Sequence, residues 1–377
     1  MPRDRRHRPM SNPPFHRPRN RPRLNTDKPF APSRSSVCGA RERGQALFVL
    51  LVVIVAIVVG LVINFSSPTA LAIQNDNKTS LALAQAKDAL IGWAISHPDD
   101  PGLLPYPDRN ADLDYNGYSD CPSTSGNPAL LLGRLPFIGE KSPCQNPQAT
   151  INLDKVDGNG DGLWYAVSGN LVRGFSDPLP NIPANLSNAA GWLTVRDANG
   201  SVLSALVAFV LLSPGKVEPG QNRSGPAPNA NNYLDNFTIG ATTYSNWDVT
   251  LGFVSATDTA KIPAGSNQFD DQLLYVTRDE FRTLIARRVA QELKNTLNQY
   301  YLAKSTYPFA APNPDGECVS GSLTGYIPSQ DTIPDCGGAL AGLPAWFNNW
   351  ESYVAYTLNN PASATLTIFG RTFAVTP

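Results

Sequence analysis

Arg43-Gly44-Gln45 leads directly into Ala46-Leu47-Phe48-Val49-Leu50-Leu51-Val52-Val53-Ile54-Val55-Ala56-Ile57-Val58-Val59-Gly60-Leu61-Val62-Ile63, eighteen residues without a charge or an amide. At 1.5 Å per residue that run makes a helix of about 27 Å, close to the ~30 Å hydrocarbon core of a bilayer. A core helix of a soluble domain keeps a polar stripe, and this run is apolar all round. The residues therefore predict a transmembrane helix over 45–66. The alternative is a cleaved signal peptide, because Pro68 and Ala70-Leu71-Ala72 offer a cleavage site.

Charge sets the expected direction of that helix. Residues 1–44 hold 12 Arg or Lys against 3 acids, and residues 45–377 hold the other 18 against 28, so +9 and −10 give the net −1. No Lys or Arg follows the run until Lys78. By the positive-inside rule the N-terminus stays in the cytoplasm and the larger part is exported. Eight prolines among the first 44 residues predict a disordered basic leader rather than a packed domain or a nucleic-acid-binding arm.

Beyond Pro68 a helical pattern resumes over 67–97, with Leu83, Ala86, Leu90, Trp93 and Ala94 on one face and His97-Pro98 as its end. The two helices read as one long rod. A first globular unit is expected over 98–276. Leu193–Asp197 and Val202 flank Asn199-Gly200 as a β-hairpin, and Ala205–Leu212 is an apolar run of strand length. A second unit, 277–377, opens on the capping box Thr277-x-x-Glu280 and a helix reaching about Ala303.

Leu83-Ala84-Gln85-Ala86 is echoed by Val289-Ala290-Gln291-Glu292, and each helix runs on to aromatics, a Pro-rich turn and a cysteine. The expected fold is α+β, a transmembrane and amphipathic helix followed by a disulfide-stapled head of two related helix-plus-antiparallel-sheet units. The staples come from cysteine spacing. Cys121 and Cys144 lie 23 residues apart and Cys318 and Cys336 lie 18 apart, which reads as two local disulfides in an oxidising compartment. Core packing is expected of Trp346, Phe347, Trp350, Tyr353 and Tyr356, with an adhesive surface as the alternative.

Arg41-Glu42-Arg43-Gly44 before an apolar helix resembles the type IV pilin and type II secretion pseudopilin superfamily. Ala86-Lys87-Asp88-Ala89-Leu90, Gly133-Arg134-Leu135-Pro136, Leu163-Trp164-Tyr165-Ala166 and Asp271-Gln272-Leu273-Leu274 resemble a group of pilin-like proteins of Gram-negative bacteria. The resemblance implies cleavage after Gly44 by a prepilin peptidase, Gln45 as the mature first residue, and methylation. It also implies a single-pass inner-membrane protein with a periplasmic or extracellular head, packed against other pilin-like subunits. Pilins usually carry Glu at the fifth mature position, where Val49 stands; its loss is tolerated in the K-type minor pseudopilin, which this N-terminus resembles.

The chemistry expected of the head is sparse. Asp112-x-Asp114-x-Asn116-Gly117, with Asp120 at the ninth position, and Asp157-x-Asn159-x-Asp161-Gly162 offer the alternate oxygens that calcium takes. Ser123 and Ser168 stand where an EF-hand has its closing Glu, and ordinary turns use the same residues. Calcium is the one cofactor expected, and no nucleic acid. His97 is the only histidine after the run, so no catalytic residue is assigned and no enzyme is expected. The function expected is a structural or accessory subunit of a type IV pilus or type II secretion-like assembly. The alternatives are a membrane-anchored binding or adhesion protein outside any filament and an anchored hydrolase.

Overall fold

The computed structural model describes residues 48–59, 68–98, 100–109, 115–122, 126–140, 156–175, 180–225, 229–255, 269–329, 340 and 342–377. The chain divides into two units, Met1–Ser66 and Ser67–Pro377.

In the first unit residues 48–59 form a helix, α1. The described residues of this helix rise about 18 Å. No helix among the described residues is long and apolar enough to cross a membrane. That finding corrects the expected transmembrane helix, and with it the single-pass inner-membrane placement with a cytoplasmic N-terminus and an exported head. The expected continuation into a rod falls on 60–67, outside the described residues.

The second unit begins with α2, Pro68–Ser96. Its first residue is a proline, which has no N–H to lose in a first turn. Leu83, Ala86, Leu90, Trp93 and Ala94 are all buried, as their spacing predicts. The other elements in chain order are β1 (Tyr118–Ser119), β2 (Leu132–Arg134), β3 (Gly139–Glu140), β4 (Trp164–Val167), α3 (Ile182–Ser187), β5 (Leu193–Asp197) and β6 (Val202–Ser213). Then follow β7 (Asn236–Ile239), β8 (Thr242–Ser245), β9 (Phe253–Ser255), β10 (Gln272–Thr277), α4 (Arg278–Lys304), β11 (Thr324–Tyr326), α5 (Phe347–Trp350), β12 (Val354–Asn360), β13 (Ser363–Ile368) and β14 (Arg371–Val375).

β6 is the spine of the larger sheet. β4 pairs with it from Trp164↔Leu212 to Val167↔Phe209, and β10 from Gln272↔Ser213 to Thr277↔Val207. The hairpin expected at Asn199-Gly200 pairs β5 with its first half. Every residue of β6 from Val207 to Ser213 is buried, because both faces of the sheet are covered. Phe209 and Leu211 face a core shared with α2 and α4, whereas Val210 and Leu212 face a second one with Trp164, Tyr233 and Phe253. The sheet is mixed rather than antiparallel. After the β7–β8 ribbon the chain returns to lay β9 parallel to β5.

The second sheet is antiparallel, in the order β11-β12-β13-β14. α4 starts where the capping box predicts: Glu280 N–H donates to Thr277 Oγ1 at 3.2 Å. One continuous core joins this helix to both sheets, with Phe281 edge-on to Phe209 at 6.4 Å and Ile285, Val289 and Leu293 fully buried beside Leu366 and Ile368. Trp346, Phe347, Trp350 and Tyr356 are buried in it too.

The expectation of two local staples in the head is corrected to what the described residues show. No disulfide has both of its cysteines among the described residues: Cys121 and Cys318 are disulfide-bonded sulfurs, and Cys144 and Cys336 lie outside.

Candidate functional site

Strand ends bring three carboxylates together. Asp235 immediately precedes β7, and Asp270-Asp271 immediately precede β10. Asp270 N–H donates to Asp235 Oδ2 at 3.0 Å, and Asp235 N–H donates to Asp271 Oδ2 at 2.9 Å. Asn246 Nδ2 donates to the same Asp271 oxygen at 3.0 Å, and Gln221 Nε2 donates to Asp235 Oδ1 at 2.8 Å. The outer oxygens Oδ1 of Asp270 and Asp271 are buried without a donor.

Burial is the first cause of the unusual acidity here. It pushes Asp235 and Asp270 up to about 6, with backbone N–H donors opposing it and the neighbouring carboxylates reinforcing it. Asp271, 4% exposed, is held well above the usual carboxylate range by burial and then by Asp235. Arg223 and Lys216 are the cations that counter these shifts, and Glu218 adds to them. Asp270 and Asp271 also line a cavity of about 600 Å³ whose far wall is Asn75 and Asp76 of α2. In such a cluster Asp235 and Asp270 give up their protons around pH 6, and Asp271 keeps its proton beyond the usual carboxylate range.

The second acidic loop expected from the sequence sits beside this cavity and docks on α2. Asp157 Oδ1 accepts the N–H groups of Asn159 and Asp161 at 2.8 and 2.9 Å, and Oδ2 accepts Ser213 Oγ at 2.6 Å. Gly158 N–H donates to Thr79 Oγ1 at 3.0 Å, and Asn159 Oδ1 accepts Asn75 Nδ2 at 3.2 Å. A Cβ at Gly158 would lie 2.0 Å from Asn75 O, so only glycine permits this approach.

Asp161 turns instead to Arg223, at 2.5 Å. That guanidinium also donates to the carbonyls of Pro214, Gly215, Lys216 and Tyr233, which ties the loop to the end of β6. Asp157, Asn159 and Asp161 thus reach three different partners: a serine on β6, a helix and an arginine.

In the first loop Asp112 and Asp114 lie outside the described residues. Asn116 Oδ1 accepts Tyr118 N–H at 3.0 Å, and Asp120 Oδ2 accepts Arg109 N–H at 2.7 Å. Among the described residues no three His, Cys, Asp or Glu side chains are grouped to hold a metal ion. Gly44 and Gln45 lie outside the described residues.

A second cavity, about 570 Å³, is walled by Tyr115, Trp164, Trp247 and Arg109. Behind it the Arg134 guanidinium is stacked 4.4 Å from the Trp164 ring and 4.2 Å from Tyr233, and it donates to Gly162 O. Burial pushes its pKa down, and the electron-rich ring faces supply the attraction that a carboxylate would otherwise give.

Sequence reading missed Arg223, Asp235 and the Asp270-Asp271 pair as members of one site. Their loops are rich in Pro, Gly and Asn, and nothing in their local spacing marks them. No protein-family model matches the chain, and no curated protein and no solved structure is significantly similar to it.

Proposed function

We propose that the chain is a structural subunit of a pilin-like or minor-pseudopilin-like assembly, of the type IV pilus or type II secretion kind, with α1 as its assembly element. One observation carries this reading. Phe48–Val55 and Ile57–Val59 are all large exposed hydrophobes, from 48% exposure at Val53 to 68% at Phe48. A contiguous apolar surface of this kind calls for cover. Each Val, Leu or Ile taken out of water contributes about 1.5–3 kcal/mol. The equivalent helix of a neighbouring subunit supplies that cover in a filament. The Arg43-Gly44-Gln45 sequence just before α1 supports the same reading.

A photo-crosslinking residue at Ile54 in the full chain, in its native cells, is expected to give adducts with further subunits. Val58→Asp, one turn along the same helix, is expected to abolish them. Recovery of the uncrosslinked chain alone would contradict the reading and favour the second one, a binding or adhesion protein outside any filament. The cavity of about 600 Å³ at Asp270 and Asp271 is the observation behind that alternative.

A further inference from the structure

Among the described residues β14 is the last strand of its sheet and pairs only with β13. The hairpin joining them turns through Phe369 and Gly370, both with positive φ, at 50° and 75°. Two such residues make the type I′ turn of a tight hairpin, so Ile368↔Arg371 is its closing hydrogen-bonded pair. Alternation along an antiparallel ladder then turns the N–H and C=O groups of Phe373 and Val375 toward β13 and those of Thr372 and Ala374 outward. Arg371, Thr372 and Ala374 are exposed, Val375 is buried, and no bulge interrupts the register.

This free edge borders a groove of about 500 Å³, whose opposite wall is Arg287, Ala290, Gln291 and Lys294 on one side of α4. Neither Arg287 nor Lys294 forms an ion pair among the described residues, and no acidic side chain among them lines the groove. Two unpaired cations thus face an open strand edge in a chain whose residues 45–377 carry a net −10.

We infer that this groove is a docking site for an extended acidic peptide segment, which adds a strand to β14. Its backbone takes the outward N–H and C=O groups of Thr372 and Ala374, and carboxylates on alternate residues meet Arg287 and Lys294. Residues i and i+2 of a strand share a face about 7 Å apart. The two cations stand two turns apart on α4, about 10.5 Å along its axis, within reach of both long side chains. Main-chain bonds supply affinity and the charge pairs supply selectivity, the usual division in strand addition. The inference does not depend on how α1 assembles.

The probe is a labelled five-residue peptide alternating valine and glutamate, titrated against the full chain by fluorescence anisotropy. Saturable binding is expected, weakened by salt and at least tenfold weaker with Arg287→Glu/Lys294→Glu. A peptide N-methylated at the pairing positions is expected to lose binding as well. Thermal melting of the double variant checks that it folds, as Arg287 is exposed and Lys294 half-buried. The inference is overturned by absent binding, by equal binding of the lysine counterpart, or by affinity indifferent to the double variant. A dimer that Ala374→Pro dissociates would assign the edge to a second copy and overturn it too.

Discussion

Trp350→Ala is expected to lower the free energy of unfolding by about 3–5 kcal/mol, the range for deleting a large buried aromatic side chain. Trp350 is fully buried, 6.3 Å from the Trp346 ring and 5.8 Å from Phe369. Its Nε1 donates to Asp100 Oδ1 at 2.9 Å, and Asn349 Nδ2 donates to Oδ2 at 3.2 Å. Asp100 follows α2 and Trp350 ends α5, so this contact ties residues 250 positions apart.

Asp100 is 3% exposed, and its pKa is still pushed up to about 6, burial outweighing the donors from Trp350 and Asn349. A carboxyl raised from an ordinary value of 3.8 to about 6 holds its proton more tightly when folded. The stability it contributes is fully present below about pH 4 and is lost as pH rises through about 6, a change of about 3 kcal/mol. Trp350→Phe keeps most of the packing and removes the donor. Its cost should be about 1–3 kcal/mol at pH 7 and smaller at pH 5, where Asp100 is mostly protonated. Urea denaturation at the two pH values checks both variants; equal costs for Trp350→Phe would show that the indole bond does not support the ionised form.

Asp271→Asn is expected to stabilise the protein at pH 7.5, by about 1–3 kcal/mol, the scale for relieving a buried, incompletely bonded polar group. An asparagine oxygen keeps the bonds from Asp235 N–H and Asn246 Nδ2 and removes the charge that burial and Asp235 oppose. Asp235 and Asp270, both raised to about 6, give the same sign as Asp100. Their stabilising contribution is complete below about pH 4 and lost as pH rises through about 6. The melting temperature should therefore climb as pH falls from 8 to 5, and Asp271→Asn should flatten that climb. Calorimetry across this range checks it. A variant less stable than the parent at pH 7.5 would mean that Asp271 carries an unrecognised favourable partner.

Local chemistry was legible and long-range pairing was not. Thr277 and Glu280 lie within one turn, so the start of α4 was readable, as was the apolar stripe Leu83 to Ala94 and the Asn199-Gly200 turn. The apolar run Ala205–Leu212 announced a buried strand. Its neighbours β4 and β10 arrive from distant sequence, as β9 does beside β5, so a parallel pairing of β5 with β9 had no local signal. The Asp157 loop shows the same limit from the side of chemistry. Asp, Asn and Gly at alternate positions describe a calcium loop and a tight turn equally well. Its partners Thr79, Ser213 and Arg223 lie 79, 56 and 62 residues away in the pairs they form. For the apolar run at the N-terminus, composition spoke of bilayer length, whereas the helix described there spans twelve residues.

The proposed pilin-like subunit would be cut after Gly44, and its mature N-terminus is the measurement that tests this. Intact-mass and N-terminal peptide mass spectrometry of the protein from its native cells should find Gln45 as the first residue, with residues 1–44 removed. A chain that keeps its leader, or one that begins at Ile73 after signal-peptide cleavage, would contradict the claim.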